Sequence, residues 1–378
     1  MSRGRELWPF AALSASYFAH IGFFNPYLPL WLQDAGVSLL AISLLTSMQS
    51  ATRLFAPYGW GWLSDHTGER VRLLRFCAMV ALAGSAGLWL DLGLWGLAGV
   101  LLLMFTHTSA MMPMSEAALA QVVSRSGGFD ARLYGRVRLC GSVGFLLTVM
   151  AAGAWFESHG MGSFPAWTAG TLLLVVASVW WMPDRREPVQ AGQRSESILP
   201  VLRQPAVAWF FAAVFLHVLA HVFVYVYFSL YIDSLGYPKS VIGLLWAASV
   251  LVEIAWFFTQ ARWLPRLSHG SWLLLAAALA VLRFAVTAGA GQYLWLLFAA
   301  QLLHAITFAA HHSVCIALLS EHFPARLRGR GQALYAVLGY GLSGVVGGLL
   351  GAWISPRWGV GSVFWLATAM ALLACGAA

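Results

Sequence analysis

Apolar residues run along this chain in long blocks separated by short polar clusters. The blocks fall at about 8–32, 38–60, 71–91, 94–118, 137–156, 163–182, 206–231, 239–260, 271–290, 293–318, 331–354 and 359–376. Each is roughly the 20 residues that a helix needs to cross about 30 Å of hydrocarbon. The pattern predicts an all-α membrane protein with twelve transmembrane helices. The first block follows Arg3 and Arg5 and continues to about Leu32. That run is too long for a signal-peptide core, so an uncleaved first span is expected.

Composition agrees with the blocks. The chain is 60% hydrophobic and 10% charged, with mean hydropathy +0.75, which leaves too little polar surface for a soluble domain. The net charge of +8 does not point to nucleic acid, because the basic residues sit in short clusters between apolar blocks. They test the span count instead. With the N-terminus inside, eighteen of the 22 basic residues fall in inner segments: Arg3 and Arg5; Arg70, Arg72 and Arg75; Arg125, Arg132, Arg136 and Arg138; Arg185, Arg186, Arg194 and Arg203; Arg262 and Arg266; Arg326, Arg328 and Arg330. Only Lys239 and Arg357 fall outside. This asymmetry predicts that both termini are cytoplasmic. Cys77, Cys140, Cys315 and Cys375 all lie in apolar segments, where packing is the expected role and no disulfide is predicted.

The two halves repeat at an offset of 200 residues. Tyr27/Tyr227, Leu30/Leu230, Gly36/Gly236, Ile42/Ile242, Leu44/Leu244 and Leu45/Leu245 are identical pairs, and the same offset sets Arg53 opposite Glu253. A second echo relates GRVRLCGSVG at Gly135 to GRGQALYAVLGYG at Gly329. Such repeats mark transporters built from two helical bundles with the solute near the midplane. The expected organisation is an N-terminal six-helix bundle at 1–182, a cytoplasmic linker at 183–205 and a C-terminal six-helix bundle at 206–378.

Four ionisable residues, Arg53, Glu116, Glu253 and Arg283, lie inside apolar blocks. A charge at that depth costs at least about 2.5–3.5 kcal/mol, so it calls for a partner or a water-filled path. Seven histidines share these blocks: His20, His107, His217, His221, His304, His311 and His312. Imidazoles can switch charge near neutral pH, although a lone buried histidine more often packs. His311 and His312 are adjacent and so cannot face one direction on a helix. No metal site is expected from this set. Aromatic residues Tyr17, Phe24, Tyr27, Tyr225, Tyr227, Tyr231 and Trp246 are candidate walls for an aromatic solute. Glycines crowd the eleventh block (Gly339, Gly341, Gly344, Gly347, Gly348, Gly351) and mark the fifth (Gly135, Gly141, Gly144). Close packing between the bundles is their expected role.

The segment GWLSDHTGERVR, Gly61 to Arg72, resembles the loop motif of the major facilitator superfamily, with Gly61, Leu63, Asp65, Gly68, Arg70 and Arg72 at matching positions. Glu69 stands where an arginine is usual. The resemblance implies the major facilitator fold of two pseudo-symmetric bundles, with Gly61, Asp65, Gly68, Arg70 and Arg72 as a gating motif on the cytoplasmic side. YGRVRLCGSVGF, Tyr134 to Phe145, is similar to the helix-five entry of the oligosaccharide:proton symporters, and more so to the 3-phenylpropionate permease branch. ATRLF at Arg53, LVEI at Glu253, VLRF at Arg283 and LLHAITFAAHH at Leu302 add to that similarity.

This resemblance implies a proton-coupled symporter that imports a small organic solute by alternating access, with an aromatic carboxylate such as 3-phenylpropionate expected. Glu253, Arg283, His304 and His312 are the expected proton-coupling residues. Arg53, Glu116, Arg138, His20, His221, Tyr27 and Tyr227 are the expected substrate-binding residues. One carboxylate against two guanidiniums suits an anion, because arginine recognises carboxylates bidentately. Competing readings are a sugar or nucleoside symporter, a proton-driven efflux carrier, a membrane acyltransferase using His304 or His312, and a solute sensor. No catalytic triad, phosphate loop or metal motif supports an enzyme. The expected partners are the solute, protons and the lipid bilayer of a bacterial inner membrane. A monomer is expected, with no nucleic acid and no cofactor beyond the proton gradient.

Overall fold

A computed structural model describes residues 3–123, 131–184, 197–324 and 327–378. Arg125, Arg185, Arg186, Arg194 and Arg326, together with much of the expected linker, lie outside the described residues. The described residues form helices and short turns, with no strand among them. The long elements are α1 (Arg3–Asp34), α2 (Leu39–Thr67), α3 (Arg70–Trp89), α4 (Gly93–Ala120), α5 (Leu133–His159), α6 (Met161–Trp181), α7 (Pro205–Ser234), α8 (Lys239–Arg266), α9 (His269–Gly289), α10 (Leu294–His322), α11 (Arg328–Trp358) and α12 (Ser362–Ala377). The ten from α2 to α11 are long and apolar enough to cross a membrane. The remaining two, α1 and α12, have 32 and 16 residues.

Two of these helices are broken by proline. In α2 the first piece ends at Thr52 and the second begins at Ala56. Pro57 has no N–H to close on the carbonyl of Arg53, so the ladder opens there. Pro113 does the same to Ser109 in α4, where helix ends at Thr108 and resumes at Met111. Two others carry wide π-helical turns, at Ala305–Ala310 in α10 and Ala336–Leu342 in α11. Such turns often mark functional sites.

The chain divides into two compact units, Met1–Val37 with Thr52–Gly192, and Ser38–Ala51 with Gln193–Ala378. The first piece of α2, expected with the N-terminal bundle, therefore groups with the C-terminal unit. Its serines face glycines of α11. A Cβ added to Gly348 would lie 1.5 Å from Ser47 Oγ, and one on Gly344 would lie 2.1 Å from Ser50 Oγ. Only glycine permits that approach. In the first unit α1 meets α5 just as closely, since a Cβ on Gly144 would sit 2.2 Å from the Ala15 carbonyl oxygen. The helix-five glycines 141 and 144 thus pack inside their own unit, against α1, and not between bundles as the sequence suggested. Gly135 has open space around its Cβ position.

The internal repeat is visible residue by residue. Gly36 and Gly236 both adopt positive φ, 76° and 82°, and end α1 and α7 with the same turn. In each turn the glycine N–H bonds the carbonyl three residues back at 2.9 Å, from Gln33 and from Asp233. Leu30, Leu230, Ile42, Ile242, Leu45 and Leu245 are all buried, whereas Leu44 and Leu244 are equally exposed at 42%. Tyr27 and Tyr227 are fully buried. Tyr27 donates to the Val149 carbonyl of α5 at 3.1 Å, and Tyr227 donates to Ser43 Oγ at 2.7 Å.

Candidate functional site

The C-terminal unit contains a buried polar chain built on α8, α9 and α10. Arg283 is 1% exposed. Its Nη1 donates to His304 Nδ1 and Thr307 Oγ1, each at 3.0 Å, and its Nη2 donates to Gln301 Oε1 at 2.8 Å. Among the described residues no carboxylate pairs with it directly. Because Nδ1 of His304 accepts from the guanidinium, a neutral His304 carries its proton on Nε2. That nitrogen lies 3.5 Å from Glu253 Oε2, and the Glu253 side chain is about one-quarter exposed. A carboxylate, an imidazole and a guanidinium thus stand in series, with the imidazole between opposite charges.

The π-turn of α10 sets which residues join this chain. His304, Phe308 and His312 stack in a column, with near-parallel rings 4.8 Å and 6.5 Å apart. Thr307 and His311 take the neighbouring face toward α7. His312, at the far end of the column, reaches α11. Its Nδ1 lies 3.2 Å from Tyr335 Oη of α11, which in turn contacts Tyr340 Oη at 3.3 Å. Gln301 and Thr307, which sequence reasoning did not single out, supply two of the three acceptors for Arg283.

In the N-terminal unit, Arg138 of α5 forms an ion pair with Glu116 of α4. The Arg138 guanidinium also lies over the Phe18 ring of α1 at 5.5 Å. Arg53 is exposed, at the proline break of α2, and among the described residues it forms no ion pair. Tyr17 lies close enough to feel the charges of both Arg53 and Glu116, and its Oη donates to the Thr108 carbonyl at the α4 break at 3.2 Å. Phe18 was not foreseen here, although Tyr17 was among the aromatic candidates.

The loop motif is folded on itself. Gly68 takes φ 67° and ends α2, and Asp65 accepts from Arg70 at 3.1 Å. Arg70 also donates to Ser64 Oγ. Arg72 pairs with Glu69 at 2.7 Å and with Asp184 at 3.1 Å, and Arg75 reaches the same Asp184 at 3.5 Å. The unusual Glu69 is therefore engaged within the motif. Asp184 is a partner that the motif alone does not reveal.

A family model described as the MFS_1 like family matches residues 7–366. The chain belongs to this family of major facilitator transporters. Relatives include a maltose permease of Geobacillus stearothermophilus, 27% identical over 92% of this chain and 87% of that protein. Another is a "probable 3-phenylpropionic acid transporter" of Escherichia coli K12, 26% identical over 94% and 93%. Among solved structures, a mutant of the nucleoside transporter NupG superposes with TM-score 0.85 at 13% identity, covering 98% of each chain. A POT family transporter in complex with 5-aminolevulinic acid gives TM-score 0.77 at 10% identity, over 97% of this chain and 93% of that one. The protein is thus a multi-pass membrane transporter of a small solute and not an enzyme.

Three expected solute residues of this major facilitator transporter have partners within their own units. His20 is buried against Thr171 of α6, with Nδ1 3.0 Å from its Oγ1. The ring of Tyr27 packs against Phe156 at 5.3 Å, inside its unit. His221 is buried beside His217 of α7. The sequence held two i, i+4 pairs that were passed over: His217 with His221, and His311 with Cys315, whose Sγ lies 3.6 Å from His311 Nε2. Among the described residues no group of three or more metal-ligating side chains could hold an ion.

Proposed function

We propose that this transporter is a proton-coupled symporter that imports a small organic acid, with an aromatic carboxylate such as 3-phenylpropionate as the favoured solute. In this reading twelve spans cross a bacterial inner membrane with both termini cytoplasmic, the chain works as a monomer, and transport proceeds by alternating access. The observation that carries the proposal is the series Glu253–His304–Arg283. A proton arriving at Glu253 removes the negative end of the series, and His304 then loses its reason to present Nε2–H outward. A proton on His304 itself would displace the Arg283 donor from Nδ1. Either event changes how a fully buried guanidinium is held, which is a way to link protonation to helix position.

The N-terminal unit supports an anionic solute. Glu116 neutralises one guanidinium, Arg138, and leaves Arg53 without a described counter-charge. A carboxylate can satisfy Arg53 bidentately, and Tyr17 and Phe18 offer ring faces nearby. The 26% identity to a protein named for 3-phenylpropionic acid adds to this reading. The 27% identity to a maltose permease favours a sugar as the second reading.

The test is uptake in proteoliposomes. Labelled 3-phenylpropionate is expected to accumulate with alkalinisation of the medium, and collapsing the proton gradient is expected to abolish accumulation. Accumulation that survives the collapse would remove proton coupling. Competition by maltose but not by phenylpropionate would transfer the solute assignment to the sugar.

A further inference from the structure

Beside the Arg283 cluster, α7, α10 and α11 form a small, partly open pocket lined by His217, His221, Tyr225, Thr307, His311 and Tyr340. The space open to a water there is about 10 Å³, close to the least that holds one molecule. His217 and His221 are each 3% exposed. Their tautomers follow from their partners. His217 Nε2 lies 2.6 Å from the Thr307 carbonyl and must donate to it. His221 Nδ1 lies 2.9 Å from the His217 carbonyl and must donate likewise. In the neutral rings the remaining nitrogens, His217 Nδ1 and His221 Nε2, are therefore lone-pair acceptors. These same two atoms are buried with no hydrogen-bond partner in the protein.

Two buried acceptors require two donors, and a water molecule has two. We infer that this pocket binds a single water, hydrogen-bonded to His217 and His221, and that the water serves as a proton-transfer station beside the Glu253–His304–Arg283 series. The two imidazole nitrogens meet the lower bound of the two to four polar partners that a buried water needs. The proton-transfer role rests on the proposed proton coupling; the water site does not.

Thr307 ties the station to the main cluster. Its Oγ1 accepts from Arg283 and its carbonyl accepts from His217. An imidazole whose N–H is committed to a carbonyl takes an arriving proton on its other nitrogen. A proton on His217 Nδ1 passes to the water oxygen, while the water gives one of its own to His221 Nε2. No heavy atom is exchanged and no electrons are transferred. The Arg283 cation is one threonine away, and the His311 ring stacks on His217 at 3.9 Å with Cys315 beyond it. The cation opposes a resident charge on His217. The station therefore passes protons and does not store them.

Two substitutions isolate the lone pairs. His217→Gln keeps a donor for the Thr307 carbonyl and removes the Nδ1 acceptor. His221→Asn keeps a donor for the His217 carbonyl and removes the Nε2 acceptor. A cryo-EM map of the intact wild-type chain in nanodiscs, at a resolution that shows ordered water, is expected to contain a peak within hydrogen-bond distance of both nitrogens. The peak is expected to vanish in either variant, with elution and thermal unfolding close to wild type. Solute-linked alkalinisation by proteoliposomes is expected to fall by about a hundredfold, the lower end for a positioned proton-transfer group. A wild-type map with no peak would overturn the site. Variants that move protons at the wild-type rate would overturn the station. A map recorded with added zinc that shows a much stronger peak there, at metal–nitrogen distance from both rings, would replace water with a metal. If wild-type uptake moves no protons, the proposed coupling fails and the proton-transfer role fails with it, while the map still decides the water site.

Discussion

Arg283 donates to Nδ1 of His304 at 3.0 Å, and this bond fixes the tautomer of the histidine. The consequence runs outward, because the Nε2–H so defined is the group that meets Glu253. Removing the guanidinium would leave Gln301, His304 and Thr307 as buried acceptors with no donor. Each such loss costs about 1–3 kcal/mol. Arg283→Met is therefore expected to lower the unfolding temperature in detergent markedly, and Gln301→Leu in the same background is expected to recover part of the loss. Equal melting of the two variants would show that the Gln301 bond carries no stability.

Glu253→Gln keeps a carbonyl oxygen near His304 and removes the titrating group. Gradient-driven accumulation is expected to disappear, whereas exchange between preloaded and external solute continues. Unchanged accumulation, measured as the steady-state ratio of internal to external label, would take Glu253 out of its assigned role. The sign is defined: a permanently neutral residue 253 mimics the protonated carrier, so the defect is expected at every pH.

Arg53→Gln tests solute charge. Loss of a charge-assisted bond costs about 1.5–3 kcal/mol, which is roughly a 10–150-fold rise in KM for a carboxylate. A neutral analogue such as the corresponding amide is expected to lose far less. Equal losses for acid and amide would mean that Arg53 does not read the carboxylate.

Gly348→Ala tests the seam between the first piece of α2 and α11. The added methyl would overlap Ser47 Oγ, and overpacking of this kind costs about 1–3 kcal/mol. Ser47→Gly combined with Gly348→Ala is expected to restore the unfolding temperature. Additive losses in the double variant would show that the two positions do not share the contact.

Much of the architecture was legible because it is periodic. Apolar blocks of membrane length became helices, and the repeat survived down to matched burial at Leu45/Leu245 and matched exposure at Leu44/Leu244. Glycines with positive φ were also legible as repeated identities, Gly36 and Gly236. The site was read less completely. Glu116 and Glu253 stood out because charges in apolar sequence are conspicuous; their partners Arg138 and His304 came with the family resemblance. Gln301 and Thr307 did not, because an isolated amide or hydroxyl in a long apolar run has no pattern of its own. His312 was grouped with Glu253 and Arg283 by the family resemblance, whereas in the structure its Nδ1 lies 3.2 Å from Tyr335 Oη of α11. The break at Arg53 could have been found from Pro57, four residues on. The grouping of Ser38–Ala51 with the C-terminal unit could not, since it depends on glycines some three hundred positions away.

The repeated tyrosines carry a last consequence. Tyr27 is anchored to a backbone carbonyl, an acceptor that no substitution deletes and no rotation withdraws. Tyr227 occupies the matching position but is anchored to the side chain of Ser43, which one torsion can turn aside and one mutation can erase. Duplication supplied the same ring twice, and divergence made one a rivet and the other a catch.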